Sequence, residues 1–212
     1  MNLIVFLYQN RNYRIMYIKK YFSIVFISLF VLIGCTNKEQ RKSEAVNADT
    51  TSLNDKPVDV ADQRGYIVEV GDMAPDFEME LPNGEMVTLS ELKGKVVMLQ
   101  FTASWCGVCR KEMPYIERDI WAKHKDNPNF ALYGIDREEP VEKVNELIDK
   151  TGVTYPIGLD PNADIFTSYA EPKAGITRNV IIDRDGRIVM LTRLFELEEF
   201  QEMVEVIDNL LD

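Results

Sequence analysis

Few of the side chains that build metal centres and multi-disulfide frameworks are present in this sequence of 212 residues. Its three cysteines are Cys35, Cys106 and Cys109, and His124 is its single histidine. Three cysteines exclude a framework of several disulfides and an all-cysteine zinc site within one chain. The H-E-x-x-H zinc motif is absent, and we expect His124, in a polar stretch, to be a solvated surface residue. The sequence therefore predicts no metal centre.

Positive charge is also scarce. The chain has 24 basic and 35 acidic residues, which gives a net charge of −11 at pH 7. This excess disfavours binding to nucleic acid and to anionic membrane surfaces, because both are polyanions. A glycine-rich phosphate loop is absent as well. The composition predicts no nucleic-acid partner, and any membrane attachment has to come from lipid rather than from charge.

The N-terminal residues predict a secretion signal. Two lysines at positions 19–20 precede an apolar run over residues 21–33. This run is short for a permanent membrane-spanning helix of about 20 residues, and it fits a cleavable signal. Residues 32–35, Leu-Ile-Gly-Cys, resemble a bacterial lipobox, which implies that the signal is cut before Cys35 and that Cys35 is the lipid anchor. An uncleaved anchor helix is the alternative. We expect Met16 to be the real start, because it gives a tidier signal.

The chain divides into three predicted regions. We assign residues 1–34 to a lipoprotein signal peptide, 35–65 to a flexible polar tether and 66–212 to one folded domain. The tether has few large apolar residues, so it cannot bury enough surface to fold. About thirty flexible residues span roughly 30 Å, enough to lift a domain clear of lipid headgroups. We therefore expect the domain in the cell envelope, lipid-anchored and facing the periplasm, on either the inner or the outer membrane.

The folded region alternates strand and helix signals. Residues 96–101 and 130–135 are near-continuous apolar runs, as expected of strands buried on both faces. A turn at residues 183–186 predicts a terminal hairpin. The other predicted strands are 66–70, around 77, 86–87, 155–159, 180–182 and 188–191, and the predicted helices are 106–121, 140–150 and 197–211. This pattern predicts an α/β fold, a three-layer α/β/α sandwich with a mixed central sheet and an N-terminal β extension.

The most informative motif is Trp-Cys-Gly-Val-Cys at residues 105–109, directly after the first apolar run. Two cysteines at this spacing can close a disulfide across the first turn of a helix and open it again. A cysteine at a helix N-terminus lies among unpaired backbone N–H groups and at the positive end of the helix dipole, and both favour thiolate over thiol. The motif predicts a thiol–disulfide exchange site. A static surface disulfide or half of an intermolecular metal site is the alternative.

Three segments resemble the thioredoxin-like disulfide oxidoreductases of the bacterial cell envelope that are grouped with TlpA and ResA. They are residues 71–77 (Gly-Asp-Met-Ala-Pro-Asp-Phe), 92–95 (Leu-Lys-Gly-Lys) and 101–114, which contain the cysteine motif. The resemblance covers residues 66 to about 192. It implies a thioredoxin-like fold in which one cysteine attacks a disulfide and the other resolves the product.

The resemblance also implies a role for each residue of the motif. Cys106 would be the exposed nucleophile and Cys109 the resolving thiol beneath the helix. Trp105 would be the flat cover beside them. Gly107 and Val108, which separate the two cysteines, would be supporting residues of the active site.

Glu112, one turn beyond Cys109, matches an acidic residue that these envelope proteins place near the pair. A carboxylate there could shuttle a proton to or from a buried thiol, and its charge would raise the pKa of that thiol. An ordinary solvated helix residue is the alternative. Gln100 stands where cytoplasmic thioredoxins carry a buried acid, which leaves Glu112 as the nearby candidate for this task.

One departure from the family concerns a loop opposite the cysteines. The family carries a cis-proline there. This sequence has Thr177 at that position, preceded by Ile176. A cis peptide bond without proline costs about 2.5–4 kcal/mol, so we expect a trans or rearranged loop. Since this loop pairs with the incoming substrate in the family, both residues are supporting active-site residues, and the change affects substrate choice.

The resemblance implies a membrane-tethered thiol–disulfide oxidoreductase that needs no cofactor. It would exchange disulfides with protein dithiols and disulfides as a reductase, supplied by a membrane electron donor. A thiol peroxidase is one alternative, although Leu99 and Ala103 stand where peroxidases have Pro and Thr ahead of the cysteine. The other is a non-catalytic lipoprotein binding module with a structural disulfide.

Residues 136–139, which follow a strand, are expected to form a solvated loop rather than an edge of the site.

Overall fold

The computed structural model describes residues 64–212. The predicted signal peptide, Met16, Cys35 and the tether up to residue 63 lie outside the described residues. The last two residues of the predicted tether contact the domain, since Arg64 pairs with Glu199 and the Gly65 carbonyl accepts the N–H of Glu171. No helix within residues 64–212 has the length and apolar character to cross a membrane.

The described part of the chain contains seven strands. They are β1 (Glu78–Glu80), β2 (Met86–Thr88), β3 (Val96–Thr102), β4 (Phe130–Arg137), β5 (Ile157–Asp160), β6 (Arg178–Ile182) and β7 (Ile188–Arg193). The helices are α1 (Gly107–Ile116), α2 (Ala122–His124), α3 (Val141–Thr151), α4 (Asp164–Tyr169) and α5 (Leu197–Leu211). A 3₁₀ turn at Leu89–Leu92 precedes β3, and a π-helical turn at Glu117–Trp121 joins α1 to α2.

All seven strands form one mixed sheet in the order β2-β1-β5-β4-β3-β6-β7. The central strands β3, β4 and β5 are parallel, and β6 pairs antiparallel with β3 and with β7. The hairpin of β1 and β2 forms the edge of the sheet opposite β7, and β1 pairs antiparallel with β5. The predicted mixed sheet with an N-terminal β extension is confirmed.

The core lies on both faces of the sheet. Because side chains alternate along a strand, β3 sends Val97, Leu99 and Phe101 to one face and Val96 and Met98 to the other. The first face is covered by α4 and the N-terminal segment, and the second by α1, α3 and α5. Every residue of β3 is buried, as expected of a central strand covered on both sides. The predicted three-layer sandwich is confirmed.

The predicted strand over residues 66–70 is wrong. Only Tyr66 forms a bridge, to Ala170, while Tyr66 and Val68 are buried and Ile67 is exposed. The Tyr66 hydroxyl donates to the carbonyl of Thr192 at 2.7 Å, so this segment packs across the end of the sheet instead of joining it. The alternation of buried and exposed residues in this segment shows that one side of it packs on the protein. A packed loop and a strand both give this pattern.

Helix α4 was not predicted. It has six residues and begins after Ala163, whose φ of 59° is in the left-handed region. The carboxylate that caps it belongs to Asp160 at the end of β5 and accepts the N–H groups of Ile165 and Phe166. Because this cap comes from a preceding strand and the helix is short, neither helical periodicity nor a local capping residue indicated it.

Candidate active site

The two cysteines lie at the junction of β3 and α1. Cys106 is the N-cap of α1, and its Sγ accepts the backbone N–H of Cys109 at 3.1 Å. The two sulfurs form a disulfide with a Cα–Cα separation of 5.3 Å. Cys106 is 6% exposed and Cys109 is 0% exposed, so both residues are buried. The resemblance implied an exposed Cys106, and this is wrong for the disulfide form, in which Thr177 lies against its sulfur. Cys106 is still the more accessible residue of the two, which suits it to attack and Cys109 to resolve.

The neighbours of the pair have different degrees of exposure. Trp105 is 65% exposed, so its ring offers apolar surface beside Cys106. Gly107 begins the helix in open space, with no atom within 4 Å of the position that a Cβ would occupy. Val108 is partly buried against the same apolar cluster that contains both cysteines.

Thr177 closes the other side of the pair. Its Oγ1 lies 3.2 Å from the Cys106 Sγ and 3.3 Å from the Cys109 Sγ, and the residue is 3% exposed. Ile176 is buried next to it. Between residues 64 and 212 every peptide bond is trans, as predicted for this loop.

Glu112 is buried on α1, one turn after Cys109, at 1% exposure, which rules out the alternative of a solvated helix residue. Its carboxylate accepts hydrogen bonds from the side-chain amides of Asn179 at 2.7 Å and Gln100 at 3.3 Å. Loss of hydration raises the pKa of Glu112 to about 7, although the two amide bonds oppose this rise and repulsion by Glu199 adds to it slightly. The carboxyl therefore exchanges its proton near neutral pH.

The site contains three further residues, Gln100, Asn179 and Tyr155. The sequence did not connect Gln100 to Glu112, and it did not indicate the other two as site residues. Gln100 on β3 pairs with Asn179 on β6 in the antiparallel register, so both amides reach Glu112 from the sheet. The Tyr155 hydroxyl donates to the Gln100 side-chain oxygen at 2.6 Å. Gln100 offered a signal in the sequence, since it is a polar residue inside an apolar run and such a residue needs a buried partner. Asn179 offered none, because it follows Thr177 and Arg178 rather than apolar residues.

The interpretation of residues 136–139 as a solvated loop is wrong. Asp136, the second-last residue of β4, has no exposed surface, and neither carboxylate oxygen has a hydrogen-bond partner among the described residues. Glu139 accepts the Ser104 hydroxyl at 2.6 Å and also the Ser104 N–H, which ties this segment to the turn that precedes Trp105 and Cys106. Burial, followed by repulsion from Glu139, raises the pKa of Asp136 to about 8.

The expected solvated position of His124 is also wrong. Its side chain is 12% exposed, its Nε2 lies 2.8 Å from the Asp208 carboxylate and its ring packs on Phe130. The cause is α5, which covers this side of the sheet and brings Asp208 to it. In the region from 64 to 212, no group of three or more His, Cys, Asp or Glu side chains is placed to hold a metal ion.

Residues 69–211 match the Redoxin family. The chain belongs to the redoxin family. A thiol-disulfide oxidoreductase ResA from Bacillus thuringiensis (strain Al Hakam) is 30% identical over 122 residues, which cover 58% of this chain and 68% of that protein.

Solved structures agree in fold. A solution structure from Bacteroides thetaiotaomicron, assigned as a protein disulfide isomerase, is 67% identical, covers 69% of this chain and 92% of its own, and has a TM-score of 0.68. A crystal structure from Chlorobium tepidum, assigned as a thiol:disulfide interchange protein DsbE, is 26% identical and covers 68% and 99%, with a TM-score of 0.61. The chain is a thiol–disulfide oxidoreductase of the ResA and DsbE type with Cys106 and Cys109 as its pair.

Replacing Asp136 with Asn should stabilise the protein increasingly as the pH rises. The folded-state pKa of Asp136 is about 8 and its ordinary value is 3.8, so the folded protein keeps a proton that the unfolded chain loses. The parent therefore loses stability between about pH 4 and pH 8. We expect D136N to match the parent near pH 4 and to exceed it by about 1–3 kcal/mol in free energy of unfolding at pH 8.

Urea unfolding of the oxidised protein at several pH values measures this difference. The control is D126N, because Asp126 is exposed. An advantage of D136N that stays constant with pH would contradict the burial of an ionisable carboxyl at this position.

Proposed function

We propose that this chain is a lipid-anchored disulfide reductase that acts outside the cytoplasm on protein partners through Cys106 and Cys109. The observation that carries the proposal is the disulfide between Cys106, the N-cap of a helix, and Cys109, which is the more deeply buried residue of the two. Glu112, a buried acid one turn further along α1, supports it.

In the first step the Cys106 thiolate attacks a disulfide of the partner. A new S–S bond joins Cys106 to one partner sulfur, the partner's S–S bond breaks, and the other partner sulfur leaves as a thiolate that takes up a proton. The backbone N–H of Cys109 and the positive end of the α1 dipole stabilise the Cys106 thiolate before the attack.

In the second step Cys109 resolves the mixed disulfide. Its thiol loses a proton, its sulfur attacks the Cys106 Sγ, and the bond between Cys106 and the partner breaks. The partner leaves with both of its sulfurs reduced, and the pair is left oxidised. Glu112 accepts the proton of Cys109, because a base with a pKa near the working pH transfers protons most efficiently.

The reductase direction is supported by the buried acid one turn after Cys109. A carboxylate at Glu112 disfavours thiolate on Cys109, and a pair whose reduced form is less stabilised has a lower reduction potential. Such a pair needs to be reduced again after each cycle. We therefore include a membrane electron donor among the partners, together with protein disulfides.

In cells, we expect the pair to be mostly reduced. Acid quenching followed by a thiol reagent that adds mass measures this state on a gel. We expect C109S to accumulate mixed disulfides between Cys106 and its partners, because the resolving thiol is gone, whereas the control variant C106S/C109S should accumulate none.

Other outcomes identify the alternatives. A mostly oxidised pair that dithiothreitol opens readily points to an oxidase. A pair that resists dithiothreitol, with no trapped partner, points to a binding module with a structural disulfide. Turnover of hydrogen peroxide with a dithiol donor points to a thiol peroxidase.

Replacing Glu112 with Gln should slow the second step about 10²-fold, because a general base typically contributes this much or more. The dependence of this step on pH near 7 should also disappear, since Gln does not titrate. Stopped-flow measurement of the decay of a preformed mixed disulfide reports the rate. E142Q is the matched control, because Glu142 is an exposed residue of α3. An unchanged rate would remove Glu112 from the mechanism.

Replacing Cys35 with Ala should abolish lipidation and cleavage of the signal. The proposed anchor is a lipid on Cys35, so C35A should lose incorporation of labelled fatty acid and accumulate as an unprocessed precursor that its apolar run still holds in the membrane. Metabolic labelling and the mass of the protein on a gel measure both, with C106S as a control that keeps the anchor. Mass spectrometry of the precursor tests the start site, because residues before Met16 at its N-terminus would contradict the predicted start.

A further inference from the structure

The hydroxyl of Thr177 is placed between the two sulfurs at nearly equal distance. Oγ1 lies 3.2 Å from the Sγ of Cys106 and 3.3 Å from the Sγ of Cys109. The residue is 3% exposed, so water competes little for the hydroxyl. Proline, which the family carries at this position, has no such donor.

The structure also holds this hydroxyl in place. The Thr177 carbonyl accepts the N–H of Leu194 at 3.1 Å and Nη1 of Arg193 at 3.3 Å. A Cβ on Gly175 would collide with the Arg193 guanidinium, which would then have to move, so glycine lets that group lie against the loop. The β-branched side chain of Thr177 is stiff about χ1. The oxygen is thus fixed, while the O–H bond remains free to rotate.

We propose that Thr177 is a catalytic residue whose hydroxyl donates a hydrogen bond to whichever of the two sulfurs carries the negative charge. Hydrogen bonds to ionised groups are stronger than those between neutral groups, so the hydroxyl stabilises a thiolate more than it stabilises the disulfide. The oxygen is already within reach of both sulfurs. Rotation of one O–H bond therefore transfers the stabilisation from Cys106 to Cys109 without movement of the loop.

The hydroxyl keeps its own proton throughout the cycle. In the reduced protein the Cys106 thiolate accepts the O–H of Thr177 and the N–H of Cys109, and the Cys109 thiol donates to Oγ1. When Cys106 attacks the partner, the charge leaves on the released partner sulfur. When Cys109 then loses its proton to Glu112, the O–H turns to the Cys109 thiolate until its bond to Cys106 forms. This inference deepens the proposed exchange reaction and rests on it.

The comparison of T177V with T177S tests the donor on Cys106. Val matches the shape of Thr without the hydroxyl, and Ser keeps the hydroxyl without the methyl group. We expect T177V to raise the pKa of the Cys106 thiol by about one and to shift its equilibrium with glutathione about tenfold toward the disulfide. T177S should stay near the parent. The readouts are the alkylation rate of the reduced protein against pH and the equilibrium with glutathione.

A second pair of variants tests the donor on Cys109. In a C106A background, adding T177V should raise the pKa of the Cys109 thiol, and adding T177S should not. The control is T151V, which removes a threonine hydroxyl bonded to a backbone carbonyl of α3. If T177V does not fold, T177A replaces it as the variant without a hydroxyl.

Two results would overturn the inference. One is an unchanged pKa of the Cys106 thiol in T177V, and the other is an equal change in T177V and T177S, which would indicate packing. If T177V changes the pKa of the Cys106 thiol but not that of the Cys109 thiol, the claim that the hydroxyl serves both sulfurs is overturned. These measurements use the reduced protein without a partner, so they test this inference independently of partner trapping. Failure to trap partners in cells would count against the proposed function only.

Discussion

The burial of β3 between β4 and β6 is the constraint on which the site depends. The strand has no exposed residue, so its pairing register has no freedom to slip without moving apolar side chains to the wrong face. That register sets Gln100 opposite Asn179, which provides both amide donors to Glu112. The turn that follows this strand leads to Cys106, the N-cap of α1. The sulfurs and their acid are therefore positioned by one strand.

The chemistry around the sulfurs is governed by loss of water rather than by nearby positive charge. Glu112 and Asp136 are both buried, and both have a raised pKa for that reason. Glu112 differs because two amides hold it, whereas the carboxylate oxygens of Asp136 have no partner in the described region. Both acids therefore cost the folded protein stability as the pH rises. Glu112 also exchanges its proton near neutral pH, because its pKa is about 7.

Much of the fold was predictable because its main signals are local. The apolar runs of β3 and β4, the terminal hairpin and the periodicity of α5 all follow from neighbouring residues, and the structure confirms them. Two parts of the fold were not predictable in this way. The segment over residues 66–70 is a loop that packs on the sheet and has the alternation of a strand. Helix α4 has only six residues and is capped by Asp160 of the preceding strand rather than by its own N-cap residue.

The sequence by itself determined the cysteine pair, its place at the start of a helix and the class of reaction, because a two-residue spacer and a helix N-terminus are properties of adjacent residues. It also indicated Glu112 and Thr177 through the resemblance to a family. Only the tertiary structure decided that Glu112 is buried on two amides, that Thr177 reaches both sulfurs and that Asp136 is hidden. These facts depend on side chains from different strands meeting, and strand pairing is a long-range interaction that no local pattern of residues encodes.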